Sequence, residues 1–216
     1  MERITSASNT VKITSEDDIK VTQEIASEVL LSGGIVAFPT ESFYGLAVDI
    51  NNEQAIEKLF KIKKRDFKNP ILILLPEIGD LEKYVEDIPV PAIKLMGKFW
   101  PGGLTMLFKA DCNISPLLTA NTGKIGIRYS SHPLATALAR SIGRPVTGTS
   151  SNISGRPPCT TAQEVFDYFG KTIDLIIDNG TMQGGPGSTI LDVTVNPCIV
   201  VREGMVTKMD IEKVIA

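Results

Sequence analysis

Histidine, cysteine and long apolar runs are scarce in this 216-residue chain, and each shortage removes a class of function. His132 is the single histidine, so a multi-histidine metal centre is excluded. Cys112, Cys159 and Cys198 stand far apart, odd in number and without a CxxC pair, which argues against a zinc site and a disulfide framework and for a reduced compartment. No apolar run approaches the roughly 20 residues that cross a bilayer. The polar opening Met1-Glu2-Arg3-Ile4-Thr5-Ser6 carries no apolar signal core, so a cytoplasmic protein without a membrane partner is expected. Aromatic residues make up only 6%, and Tyr44 and Trp100 read as core or turn residues rather than base-stacking platforms. A net charge of −3 argues against a general nucleic-acid coat while leaving room for a local basic groove.

What is present is an ordinary globular composition, 43% hydrophobic, enough for a core without metal or disulfides. Periodicity predicts helices over 18–31, 52–63, 80–85, 90–99, 133–142 and 161–169. Strands are expected at 35–38, 70–75, 104–109, 124–129, 144–148, 173–177, 188–193 and 198–202, with loops at 39–45 and 100–103. On 124–129, Ile125, Ile127 and Tyr129 face one way and Arg128 the other. Strands and helices alternate without a repeat or linker, which gives a mixed α/β (α+β) domain. Residues 1–14 are expected as a tail or added strand, 15–208 as the domain and 209–216 as a short C-terminal helix.

Four segments carry chemistry. The run Thr149-Ser150-Ser151-Asn152-Ile153-Ser154-Gly155 presents neutral donors and acceptors at a strand end, either as a capped loop or as a face toward a ligand. The basic stretch from Lys61 to Lys68 is either a solvated helix end or an anion site; in an extended segment Lys63 and Arg65 would project to one side. Arg128 on an apolar strand must reach either the surface or a partner, the latter an anionic ligand clamped bidentately or a cross-strand carboxylate. The glycine-rich stretch 178–189 is either a hairpin loop or an anion cradle, but no lysine follows Gly187 and a strand continues, so a Walker-type site is rejected. Arg202 ends a further strand as a lone cation. His132, before Pro133, starts a helix rather than serving as a base.

Together these segments resemble the YrdC-like family, whose central members are threonylcarbamoyl-AMP synthases. The resemblance rests on the stretch from Gly34 to Leu46, Lys63-Lys64-Arg65 with Asn69-Pro70, Trp100 to Thr105, Ile127-Arg128 with His132-Pro133, Thr149 to Asn152 with Ser154-Gly155, Gly187-Ser188-Thr189, and Val201 to Gly204. It implies a twisted mixed sheet with flanking helices around a concave, locally positive groove. It also implies a nucleotidyltransferase reaction in which L-threonine, bicarbonate or CO2, and ATP give threonylcarbamoyl-adenylate and pyrophosphate. The adenylate then feeds a tRNA-modifying transferase that makes N6-threonylcarbamoyladenosine at position 37. By this resemblance Lys63 and Arg65 are catalytic and bind ATP with Asn69, Lys124, Ser150, Asn152 and Arg202. Thr40, Ser42, Arg128, Gly148 and Ser188 hold threonine, with Tyr44 shaping the pocket, and magnesium bridges the phosphates without a dedicated carboxylate cage. Some members are linked to double-stranded RNA or ribosomes, so a non-catalytic protein with a direct RNA contact is the alternative. The chain departs from the family at Ser42 (often Thr), Asp66 (often Pro), Leu74 (often His) and Pro158 (often Ser), and is expected to lack the further C-terminal domain of longer relatives.

Overall fold

The computed structural model describes residues 9–215. Thr10–Lys12 form strand β1 and Glu16–Leu31 helix α1, opened by Ser15, whose hydroxyl accepts from the Asp18 N–H. Strand β2 (Val36–Pro39) turns through residues 40–43 into β3 (Tyr44–Ala47). Asn52 caps α2 (Glu53–Lys63), which ends where Lys64 adopts a left-handed φ of +48°. Then follow β4 (Ile73–Leu74), a 3-10 turn (Ile78–Lys83), α3 (Val90–Phe99), β5 (Leu104–Lys109), α4 (Pro116–Thr119), β6 (Lys124–Arg128) and α5 (Pro133–Ser141). The chain closes with β7 (Val146–Thr147), β8 (Thr149–Ser150), α6 (Ala162–Phe169), β9 (Leu175–Asp178), β10 (Thr189–Asp192), β11 (Ile199–Arg202) and α7 (Lys208–Ile215).

The expected mixed sheet with flanking helices is present and divides in two. One sheet runs β1-β9-β2-β3-β8 and the other β11-β10-β5-β6-β4-β7. The chain crosses between them at Gly148: β7 pairs antiparallel with β4, and β8, one residue on, pairs antiparallel with β3. A Cβ at Gly148 would lie 2.7 Å from Leu72 Cδ1 and 2.8 Å from Leu74 Cγ, so the crossing needs glycine.

Ala26 and Leu30 of α1 and Leu134, Leu138 and Ala139 of α5 bury Val36, Phe38 and Leu175 on one face of the first sheet. The larger core packs Ile56, Leu59 and Phe60 of α2 with Ile73, Met106, Phe108 and Ile127 of the second sheet. Each large apolar side chain so enclosed contributes on the order of 1.5–3 kcal/mol.

Three expectations are corrected. The loop at 39–45 is shorter, because Tyr44 already pairs with Pro39 in the β2–β3 ladder. The strand at 70–75 shrinks to Ile73–Leu74, since the Ile71 N–H leaves for the Leu118 carbonyl. The segment at 80–85 is a 3-10 turn starting at Ile78 rather than an α-helix. Of residues 1–14, expected as a tail or an added strand, Thr10–Lys12 form β1, paired parallel with β9, and residues 1–8 lie outside the described residues.

Candidate active site

The alternation on β6 builds the floor of a cavity of about 520 Å³. Ile125 and Ile127 point into the core, which leaves Gly126 and Arg128 facing the cavity. Beside them stand Thr105 from β5, Ser188 just ahead of β10 and Ile190 within it. The opposite wall comes from the other sheet, through Phe38, Thr40, Ser42, Thr149 and Ser150. Gly185, Pro186 and Gly187 close one side, and the Gly184 N–H donates to the Ser42 carbonyl at 2.9 Å, which ties that loop to the wall.

Three arginines line this space, held in two different ways. Arg65 donates from Nε to the Asn69 carbonyl (3.1 Å) and from Nη2 to the Pro70 carbonyl (2.8 Å). Arg202 donates from Nη2 to the Ser188 carbonyl (2.6 Å) and to its Oγ (3.3 Å), and that Oγ also accepts from Thr105 at 3.0 Å. Arg128 instead faces a carboxylate, with Nη1 3.4 Å from Glu41 Oε2 and both side chains buried. Its Nε has no hydrogen-bond partner. Burial pulls the Arg128 pKa down, Glu41 opposes that, and the charge of Arg202 adds to the lowering. Burial likewise raises the Glu41 pKa, but Arg128 and the Ser130 hydrogen bond outweigh it and hold the carboxyl below its ordinary range.

Thr40, Ser42, Arg65, Arg128, Gly148, Ser150, Ser188 and Arg202, all expected site residues, line this one cavity, as does Tyr44. Lys63 does not, and the expected convergence with Arg65 is corrected. Lys63 is the last residue of a helix and Lys64 is left-handed, so the segment is not extended. The Lys63 ammonium is fully buried and donates to the Ser150 carbonyl, the Asn152 carbonyl (2.8 Å) and Asn152 Oδ1 (3.3 Å). Burial and then the Arg65 charge pull its pKa down to about 7, against three acceptors that favour the charged form.

Asn152 supports the turn from within: its Oδ1 accepts from Ser150 Oγ at 2.7 Å and its Nδ2 donates to the Arg156 carbonyl at 2.6 Å. Asn69 is exposed and reaches the cavity only through the carbonyl that holds Arg65. Lys124 lies at the far end of β6, four residues and roughly 13 Å from Arg128 at about 3.3 Å per residue. There it pairs with Asp192 at 2.6 Å and stands apart from the cavity lining.

The departures also find places. Asp66 Oδ1 accepts the Lys68 N–H at 2.9 Å, so a side-chain turn shapes the loop that carries the Asn69 carbonyl. Leu74 is fully buried against Gly148, and Leu72 rather than Leu74 lines the cavity. Pro158 lines the cavity. Sequence reasoning missed Glu41 and Thr105 as site residues. The available signal for Glu41 was a lone carboxylate in a Pro/Gly-bounded loop, and for Arg128 a cation on an apolar strand, but nothing local connects the two.

A cavity between two mixed sheets, with guanidinium groups on carbonyl oxygens and hydroxyls around them, defines an α/β protein equipped to bind anionic small molecules. The model of the Sua5/YciO/YrdC family, described as "Telomere recombination", matches residues 28–204, and the chain belongs to this family. It is 37% identical over 203 residues to a threonylcarbamoyl-AMP synthase of Bacillus subtilis, covering 93% of this chain and 58% of that protein. A threonylcarbamoyl-AMP synthase of Photobacterium profundum is 35% identical over 161 residues, 74% of this chain and 86% of its own length. Among solved structures, P. abyssi Sua5 complexed with L-threonine superposes with a TM-score of 0.88 at 34% identity, over 96% of this chain and 60% of that one. The chain thus spans a little under three fifths of its Bacillus relative.

Proposed function

We propose that this protein is a threonylcarbamoyl-AMP synthase, a nucleotidyltransferase that joins L-threonine, bicarbonate or CO2, and ATP. The support is family membership together with one observation: Arg65, Arg128 and Arg202, from three separate stretches of chain, line a single cavity. In the proposed reaction the threonine amine adds to CO2 and loses a proton, giving a carbamate. A carbamate oxygen attacks the α-phosphorus of ATP, the bond to the bridging oxygen breaks, and pyrophosphate departs. Negative charge grows on phosphate oxygens, so fixed cations and positioning matter more than a strong base.

Arg65, Arg202 and Ser150 take the nucleotide phosphates in this reading, with Lys63 and Asn152 fixing the turn that carries Ser150 and Asn69 fixing Arg65. Arg128 takes the threonine carboxylate, with Thr40, Ser42, Gly148 and Ser188 around the amino acid. Magnesium enters as the counter-ion of ATP. Among the described residues no cluster of three or more His, Cys, Asp or Glu is placed to hold a metal, so no protein ligand is assigned to it. The product is a reactive mixed anhydride, which requires a transferase to carry its acyl group to tRNA, and we place this work in the cytoplasm. No described helix is long and apolar enough to cross a membrane.

The RNA-binding alternative gains no support from the basic stretch. Lys63 is buried and Arg65 is held on carbonyls, which leaves Lys61, Lys64 and Lys68 as its exposed cations. The deciding experiment measures pyrophosphate release from ATP with each component omitted in turn. Release that depends on both threonine and bicarbonate is expected; ATP turnover indifferent to threonine contradicts the proposal.

A further inference from the structure

Glu41 has no part in the reaction as written, yet it is firmly anchored behind Arg128. Its Oε1 accepts from Ser130 Oγ (2.6 Å), the Ser131 N–H (2.7 Å), Ser131 Oγ (3.1 Å) and the His132 N–H (3.3 Å). Its Oε2 has no hydrogen bond and faces Arg128 at 3.4 Å. The Glu41 and Arg128 side chains are only 9% and 7% exposed, so solvent screens their charges little.

Arg65 and Arg202 rest on carbonyl and hydroxyl oxygens, whereas Arg128, which also feels the charge of Arg202, is opposed directly by a fixed anion. A cancelled cation is a poor receptor for an isolated anion. It suits a zwitterion, whose carboxylate meets the guanidinium donors while its ammonium lies in the field of the carboxylate. We propose that Glu41 is a positioning and selectivity residue: by fixing Arg128 and balancing its charge, it makes this end of the cavity accept an α-amino acid zwitterion and disfavour an amine-free anion. This rests on the functional reading above, with Arg128 as the amino-acid end.

Calorimetric titration of the intact chain, with a non-hydrolysable ATP analogue present, compares L-threonine with 3-hydroxybutanoate, which keeps the carbon skeleton, hydroxyl and carboxylate but has no ammonium. The parent chain is expected to favour threonine by about tenfold or more, the scale of one charge-assisted contact. Glu41→Gln should lose about that factor for threonine and leave 3-hydroxybutanoate unchanged or tighter, so the ratio approaches one; Glu41→Asp, which restores the charge, should recover part of it. Unaltered affinity for the ATP analogue shows that the variant is folded. Should Glu41→Gln not fold, Ser130→Ala loosens the anchor with the charge retained and should lower the ratio a few-fold. A ratio unchanged in the folded Glu41→Gln chain, or in Ser130→Ala if only that folds, overturns the proposal while the synthase reading stands. A parent chain that binds the nucleotide but no threonine overturns both.

Discussion

The two ends proposed for the cavity, one for the nucleotide and one for the amino acid, hold their cations by opposite means. At one end Arg65 and Arg202 donate to neutral oxygens, and Lys63 beneath the 150–152 turn does the same. At the other, Arg128 is opposed by Glu41. Neutral acceptors orient a cation without reducing its charge, as a polyanionic triphosphate requires. A carboxylate partner orients the cation and cancels it, as a ligand of zero net charge requires. The contrast shows that charge at a site is set by what stands behind each cation as much as by the cation itself.

Removing Lys63 should break the nucleotide end most severely. Lys63→Ala removes three hydrogen bonds and leaves the Asn152 carbonyl unpaired, since the Ser150 carbonyl keeps the Asn152 N–H and Asn152 Oδ1 keeps Ser150 Oγ; an acceptor so stranded costs about 1–3 kcal/mol. Nucleotide affinity should fall by roughly a hundredfold or more, and urea denaturation should show a lower midpoint; an unchanged midpoint would mean the ammonium does not hold the turn. The next largest effect is expected at the other end. Arg128→Lys keeps one charge opposite Glu41 but loses the planar fork, so threonine affinity should drop about tenfold or more with ATP affinity constant. Equal losses for both ligands would erase the distinction between the ends.

Acid should act on the amino-acid end. The folded Glu41 pKa lies below its ordinary 4.5, so the unfolded chain takes up that proton first. The stability contributed by the pair is complete above pH 4.5 and is lost as pH falls through the lower folded value. Thermal midpoints measured downward from pH 6 should therefore decline more steeply in the parent than in Glu41→Gln. The smallest effect on turnover is expected at Lys124, whose half-buried pair with Asp192 lies outside the cavity. Lys124→Ala should change turnover by less than about twofold while stability falls by about 1–3 kcal/mol, because Asp192 Oδ2 loses its partner; a large loss of ATP affinity would return Lys124 to the nucleotide end.

Local chemistry made much of this readable from the chain. The Asn52 cap, the helix at 90–99 and the alternation that turns Arg128 away from Ile125 and Ile127 all depend on neighbours a few residues apart. The family motifs, taken together, pointed to most of the cavity lining. What stayed hidden involves distant partners. Lys63 meets Ser150 across 87 positions, so a cation that reads as solvent-facing becomes a buried clasp. Glu41 and Arg128 meet only because β2 and β6, in different sheets, end at the same cavity. The division into two sheets turns on Gly148, whose necessity lies in the leucines beneath it.

The most direct test is a crystal structure with a non-hydrolysable ATP analogue and L-threonine bound together. The triphosphate is expected against Arg65 and Arg202, with the threonine carboxylate on Arg128 and Glu41 still opposite it. Phosphates seated on Arg128, or the two ligands on separate faces of the molecule, would contradict the account.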